Sequence, residues 1–207
     1  MTRILIVEDQ NVVQSYLQSI VNENENYSLV GTIDNASLSD MYCDTGRVDL
    51  ILMDVCTADN QSGLKFAKKI KEKHPNIKII IITSMPEVSF IDKAKKAGCE
   101  SFCYKAISKD ELKKVIQDTI NGKSVYPLSK PSVTIGNAKS IEFTKKELTI
   151  LRELIEGNNQ NEIAEKYGIT RSAVKYHISN MLQKTGYDSY VKLVIDVVDK
   201  RLIIPNY

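Results

Sequence analysis

The chain has 207 residues, 43% of them hydrophobic and 26% charged, which suits one large or two small globular domains and excludes a disordered chain. Two histidines, no tryptophan and four cysteines without a CxxC pair argue against a zinc site, a disulfide framework and most histidine-dependent catalysis, so reduced cytosolic thiols are expected. No apolar run approaches the roughly 18 residues of a membrane helix and no signal peptide is visible, so the expectation is a cytoplasmic protein with no membrane partner.

The first half alternates two patterns. Short β-branched runs lie at 3–7, 29–33, 50–53, 77–82 and 101–104. Between them come stretches of helical period: Val13, Leu17 and Ile20, then Phe66, Ala67 and Ile70, then Leu112, Val115, Ile116 and Ile120. Five strands alternating with five helices predict an α/β unit around a doubly wound parallel sheet, with the unbroken apolar runs as central strands. His74-Pro75 ends the third helix. Residues 123–142 are rich in Ser, Thr, Lys, Pro and Gly and read as a linker, partly ordered through Val125-Tyr126. From 143 to 207 the pattern is all helical. Leu148, Leu151, Leu154 and Ile155 mark one helix, and Ile163, Ala164 and Tyr167 the inward face of a second. Gly168-Ile169 forms a turn, Thr170 caps a third helix, and Val174, Ile178, Met181 and Leu182 form its buried stripe. Val191, Val194, Ile195 and Val198 mark a last helix, whose valines serve either the domain core or a dimer contact.

In open parallel sheets chemistry gathers at the carboxyl ends of the strands. There stand Glu8-Asp9 after the first strand, Asp54 after the third, Thr83 after the fourth and Lys105 after the fifth. Three carboxylates in one crevice repel each other, and a hard divalent cation such as Mg²⁺ relieves that repulsion. A carboxylate can also attack phosphorus to give an aspartyl phosphate, with Lys105 and the cation neutralising the phosphoryl oxygens.

With Glu8-Asp9, Asp-Leu-Ile-Leu-Met-Asp at 49–54, Thr83, and Gly98 through Lys105, the chain resembles a two-component response regulator of the NarL/FixJ type. The resemblance covers residues 1–122 as a flavodoxin-like receiver and about 143–200 as a LuxR-type helix-turn-helix. It implies that Asp54 is the phosphoacceptor and Asp9 a direct Mg²⁺ ligand. Glu8 would act through water, and the backbone carbonyl of Cys56 would be a further ligand. It assigns Thr83 and Lys105 to the phosphoryl group, and the switch to Thr83 and Phe102. The segment after Asp54 departs from the family. Thr57-Ala58 stand where Met-Pro is common, and Asp54 to Gly63 is one residue longer than usual. Both departures bear on the loop beside the metal. The Cys56 thiol itself reads as an ordinary one.

Charge points to the partner of the second half. Residues 1–124 carry 16 basic and 17 acidic residues, and residues 125–207 carry 12 and 9. Within 166–184 lie Lys166, Arg171, Lys175 and Lys184 and no acid, which suggests a polyanion. On a helix with Val174 buried, Ser172, Lys175, Tyr176, Ser179 and Gln183 face away from the core. The family match, carried by Glu162-Ile163-Ala164, Ile169-Thr170, Val174-Lys175, His177 and Gly186, implies that Lys175, Tyr176 and Ser179 reach base edges. Gln160, Thr170, Arg171 and Ser172 suit phosphate contacts, and His177 a structural role.

The reading is a transcriptional regulator that accepts a phosphoryl group on Asp54 from a histidine kinase. It binds double-stranded DNA, forms a homodimer when phosphorylated, and has RNA polymerase as a further partner. It is not an enzyme with a separate substrate. The alternatives are a phosphorylation-independent DNA-binding protein with a relict receiver, and a phosphohydrolase acting through the same aspartyl phosphate. The second lacks an acid two residues after Asp54, where Cys56 stands.

Overall fold

The computed structural model describes residues 1–87, 89–128 and 131–204. They form two compact units. The first comprises Met1–Ser84 with Ser89–Leu128, and the second the remaining described residues.

In the first unit, strands β1 (Thr2–Val7), β2 (Tyr27–Ile33), β3 (Leu50–Met53), β6 (Lys78–Thr83) and β7 (Ser101–Tyr104) form one sheet. Their order is β2-β1-β3-β6-β7, and every pairing is parallel. Helices α1 (Asn11–Asn22), α2 (Ser39–Asp44), α3 (Gly63–Lys73), α4 (Phe90–Lys96) and α5 (Lys109–Ile120) connect them. All four residues of β3 and five of the six of β6 are buried, which is why these strands read as unbroken apolar runs. One core lies between the sheet and α1 with α5, where Ile4, Ile6, Leu52, Ile80 and Cys103 meet Leu17, Ile20, Leu112 and Ile116. Ser108 and Glu111 close a capping box at the start of α5, and Ser62 caps α3.

Two segments take a form that the sequence patterns do not specify. The segment after Asp54 folds into a small antiparallel hairpin, β4 (Cys56–Thr57) with β5 (Gln61–Ser62). Its tip holds Asp59 and Asn60 in the left-handed region, at φ 56° and 55°, which these two residue types tolerate better than most. The second feature concerns residues 123–142, read as a linker. Phe102 N–H donates to the Val125 carbonyl at 2.8 Å, and the Tyr126 hydroxyl donates to the Cys99 carbonyl at 2.6 Å. This part therefore lies along the edge strand β7. Further on, β8 (Thr134–Ile135) and β9 (Ala138–Lys139) form a hairpin whose Ile135 and Ala138 are buried in the core of the second unit.

That unit holds α6 (Lys145–Ile155), α7 (Gln160–Tyr167), α8 (Arg171–Thr185) and α9 (Tyr190–Asp199). Thr144 with Glu147, and Asn159 with Glu162, form capping boxes, and Thr170 accepts from Ala173 N–H at the start of α8. Gly168, at φ 63°, makes the sharp turn between α7 and α8. Val174, Ile178 and Met181 pack against Ile150, Leu151, Ile163 and Ala164, as the periodicity predicts. Two expectations are corrected. Tyr167 faces outward, 44% exposed, because its hydroxyl donates to Glu153 at 2.6 Å. In α9 the buried pair is Leu193 and Val197, one turn apart, whereas Val191 and Ile195 are exposed. The helix is apolar on several sides, so its sequence did not single out one stripe.

Gly63 sits where β5 leads into α3, and a Cβ there would lie 1.8 Å from the Asp54 carbonyl oxygen. Gly63→Ala is expected to lower stability by about 1–3 kcal/mol or more, as overpacking does. Urea unfolding followed by circular dichroism measures it.

Candidate functional site

Sheet register builds the first site. Val7 of β1 pairs with Met53 of β3, so the residues that follow, Glu8 and Asp54, emerge side by side. Thr83 pairs with Tyr104, and Lys105 N–H donates to the Thr83 carbonyl at 2.8 Å, which stitches the last two strand ends together. Glu8, Asp54 and Thr83 are buried, and Asp9 is exposed at the mouth. Carboxylate oxygens of Glu8, Asp9 and Asp54 lie within 4.8 Å of one another. The Lys105 ammonium stands 2.6 Å from Glu8 Oε2 and 2.8 Å from Asp54 Oδ2. Asp54 Oδ1 accepts from Val55 N–H at 2.6 Å, Glu8 Oε1 accepts from Gln10 N–H at 3.1 Å, and Gln14 Nε2 holds the Glu8 carbonyl at 2.6 Å.

Electrostatics follow from this burial. Desolvation pushes the Asp54 carboxyl above its ordinary value, and Lys105 only partly offsets it. Desolvation and the neighbouring Asp54 charge raise Glu8 as well. Burial alone would lower Lys105, but Asp54 and Glu8 outweigh it and hold the ammonium above its usual range. Glu8 and Asp54 thus share one ammonium, and Asp9 adds a third carboxylate beside them. The unmet negative charge and the all-oxygen donor set fit a hard divalent cation.

The structure brings together the carboxylates of Glu8, Asp9 and Asp54 with the Lys105 ammonium, and it places Thr83, buried, at the end of β6 with its backbone bonded to Lys105. Phe102 is buried in β7, and its ring meets Tyr104 edge-on at 5.2 Å. Cys56 is half-buried in β4 and takes part in no disulfide.

A second surface lies on α8. Arg171, Ser172, Lys175, Tyr176 and Ser179 are exposed, Tyr176 by 64%. Thr170 is exposed beside them, and Gln160, the first residue of α7, is half-buried. His177 is half-buried and meets the Tyr176 ring edge-on.

The acid-free run needs one refinement. Lys166 donates to both oxygens of buried Glu153 at 2.8 Å, and Lys184 to those of buried Glu147 at 2.8 and 2.9 Å. Tyr167 and Asn158 also donate to Glu153, each at 2.6 Å. Burial would raise both carboxyls, but their donors outweigh it and hold them below the ordinary range. Among the described residues, Arg171 and Lys175 are therefore the two cations of this run without a carboxylate partner. Thr144-x-x-Glu147 carried a capping signal for one of these acids, and nothing in the sequence pattern marked Glu153 as buried.

Both units match known families. Residues 4–117 match the response regulator receiver domain, and residues 142–197 match the luxR family of bacterial regulatory proteins. The chain is 26% identical over 199 residues to the Fimbriae Z protein of Escherichia coli strain K12, covering 93% of this chain and 94% of that one. It is 28% identical over 211 residues to the response regulator protein VraR of Staphylococcus epidermidis, covering 97% and 98%. Its fold resembles RcsB of Salmonella enterica serovar Typhimurium bound to promoter rprA with the phosphomimetic BeF3⁻. That likeness has a TM-score of 0.64 at 19% identity and covers 95% of this chain and 98% of that one. Among the described residues no helix is long and apolar enough to cross a membrane.

Because Asp54 and Glu8 both sit above their ordinary values, ionising them costs folding stability. That cost is absent well below the ordinary carboxylate range, where the folded and unfolded chains are both protonated. It is complete once pH has passed the raised values. Asp54→Asn is therefore expected to raise the thermal midpoint at pH 7 by about 2–6 °C, and the gain should shrink on acidification. Differential scanning calorimetry across pH reads the effect, and a variant less stable than wild type at pH 7 contradicts it.

Proposed function

The chain belongs to the response regulators, joining a receiver domain to a luxR-type DNA-binding domain, and on that premise we propose how its residues divide the work. A carboxylate oxygen of Asp54 attacks the phosphorus of a phosphohistidine on a cognate histidine kinase. The P–N bond breaks, and the imidazole leaves with a proton from solvent. One observation supports this reading above the others: buried Asp54 shares the Lys105 ammonium with Glu8 at the sheet's carboxyl edge, with Asp9 beside them. Asp9, Asp54 and the backbone carbonyl of Cys56 would hold Mg²⁺, with Glu8 acting through water. The cation would neutralise charge on the transferring phosphoryl oxygens. Lys105 pairs with the same oxygens, and the Thr83 hydroxyl bonds to them.

The consequence is a change of shape. Drawing the Thr83 side chain toward the phosphoryl group vacates space that Phe102 fills, and the surface of α4 and β7 changes with it. That change favours a homodimer, and two half-sites about one helical turn apart match it. In the DNA complex, Lys175, Tyr176 and Ser179 read base edges. Gln160, Thr170, Arg171 and Ser172 hold phosphates. The exposed Val191 and Ile195 of α9 suit a contact between two DNA-binding domains. RNA polymerase is the further partner through which transcription responds.

Incubation with acetyl phosphate and Mg²⁺ should add one phosphoryl group by intact mass, and Asp54→Asn should abolish it. Full labelling of that variant rejects the assignment. Beryllofluoride should raise operator affinity of the full chain, and Thr83→Ala should accept the phosphoryl group yet respond less. Equal affinity with and without beryllofluoride, across protein concentrations spanning dimerisation, rejects control through Asp54.

On DNA, Arg171→Ala should flatten the salt dependence by about one unit, because one phosphate contact is lost. Lys175→Ala should cost about 1–3 kcal/mol of specific binding. Lys166→Ala should leave the salt slope unchanged, since its charge is committed to Glu153. A slope changed equally by all three variants contradicts this division.

A further inference from the structure

The ligands of the cation site differ in what holds them. Asp9 and Asp54 follow strands locked in a five-stranded sheet by register. Cys56 lies in the hairpin β4–β5, which has only two residue pairs, Cys56 with Ser62 and Thr57 with Gln61. So short a ladder is marginal by itself and needs tertiary support. Mg²⁺ demands near-ideal octahedral geometry, so a carbonyl donor on a loose loop would be a poor ligand.

The support comes from Thr57. Its side chain is buried. The hydroxyl accepts from the Ala36 N–H at 3.0 Å and donates to the Gln61 carbonyl at 2.8 Å, so one group ties the hairpin across itself and to the chain after β2. Ala58 N–H adds a bond to the Asp34 carbonyl at 2.9 Å, and Asn35 Nδ2 donates to Asp59 at 2.8 Å. At the far end, Gly63 N–H donates to the Val55 carbonyl at 2.7 Å. The loop is thus closed at its base and pinned at its middle, with Thr57 as the buried pin.

We infer that Thr57 is a positioning residue for the divalent-cation site, acting through the backbone of its neighbour Cys56. The inference rests on the reading of Glu8, Asp9, Asp54 and Cys56 as the cation site. Valine has nearly the shape of threonine but can neither accept from Ala36 nor donate to Gln61, and it leaves the buried Ala36 N–H unpaired. Serine keeps both bonds.

The test is Mg²⁺ binding by the full chain, measured by titration calorimetry and by electron paramagnetic resonance of Mn²⁺ as a competing probe. Thr57→Val is expected to weaken binding about tenfold or more, the usual effect of losing a group that orients a ligand. Thr57→Ser should stay within about twofold of wild type, because the hydroxyl remains. Far-UV circular dichroism and the thermal midpoint are followed in parallel, and Thr57→Ala replaces the valine variant if that chain does not fold. A variant lacking the hydroxyl that is less stable yet binds Mg²⁺ like wild type overturns the inference, since Thr57 would then serve the fold alone. So does a serine variant as weak as the valine one. A wild-type chain that binds neither Mg²⁺ nor Mn²⁺ overturns the reading of the site itself and this inference with it.

Discussion

The Lys105 ammonium, held between Glu8 and Asp54, is the interaction on which the receiver depends. Two buried carboxylates a few ångströms apart are unstable company in a low-dielectric interior, and a single cation leaves them under-compensated. The fold tolerates this because the strand ends are fixed by register, so the charges cannot drift apart. The resulting strain is what makes the crevice receptive to added positive charge. The residues around it are arranged to hold geometry rather than to relieve the repulsion. Gln14 holds the Glu8 backbone, Val55 N–H holds one Asp54 oxygen, and the Lys105 backbone is bonded to Thr83.

The DNA-binding unit uses buried carboxylates to the opposite end. Glu147 and Glu153, both on α6, are satisfied by donors from α8, α7 and the turn before α7. Each couples one helix to another through a charge-assisted bond whose acid is buried while the lysine still reaches solvent. Their carboxyls are held low, so they strengthen the unit at neutral pH and weaken it as pH falls through their values. They also sort the lysines. Lys166 and Lys184 become structural, and Arg171 and Lys175 stay available at the surface. A basic stretch that looks uniform along the chain is thereby divided into cations paired with buried acids and cations left at the surface.

Most of the framework was legible from periodicity. Unbroken apolar runs marked β3 and β6 because both faces of those strands are covered, and the helix spacing marked α1, α3, α5 and α8 because each buries one stripe. The pocket residues were legible because each ends or follows a strand, and a parallel sheet brings all carboxyl ends to one edge. Where the pattern was degenerate, as in the apolar α9, it did not show which side would be buried. Tyr167 was misplaced because its hydroxyl has a partner, Glu153, fourteen residues away.

The sequence by itself determined the two-part architecture, the identity of the acidic pocket and the exposed face of α8. These follow from local period and from residue type at strand and helix ends, which a linear chain displays directly. Only the tertiary structure decided that residues 56–62 close into a hairpin pinned by Thr57 to Ala36. It alone decided that Val125 and Tyr126 lie along β7, and that two of four lysine and arginine charges are committed to buried acids. The physical reason is the same in each case. These contacts join polar groups distant in sequence, and a polar residue shows no periodic trace of the partner that will satisfy it.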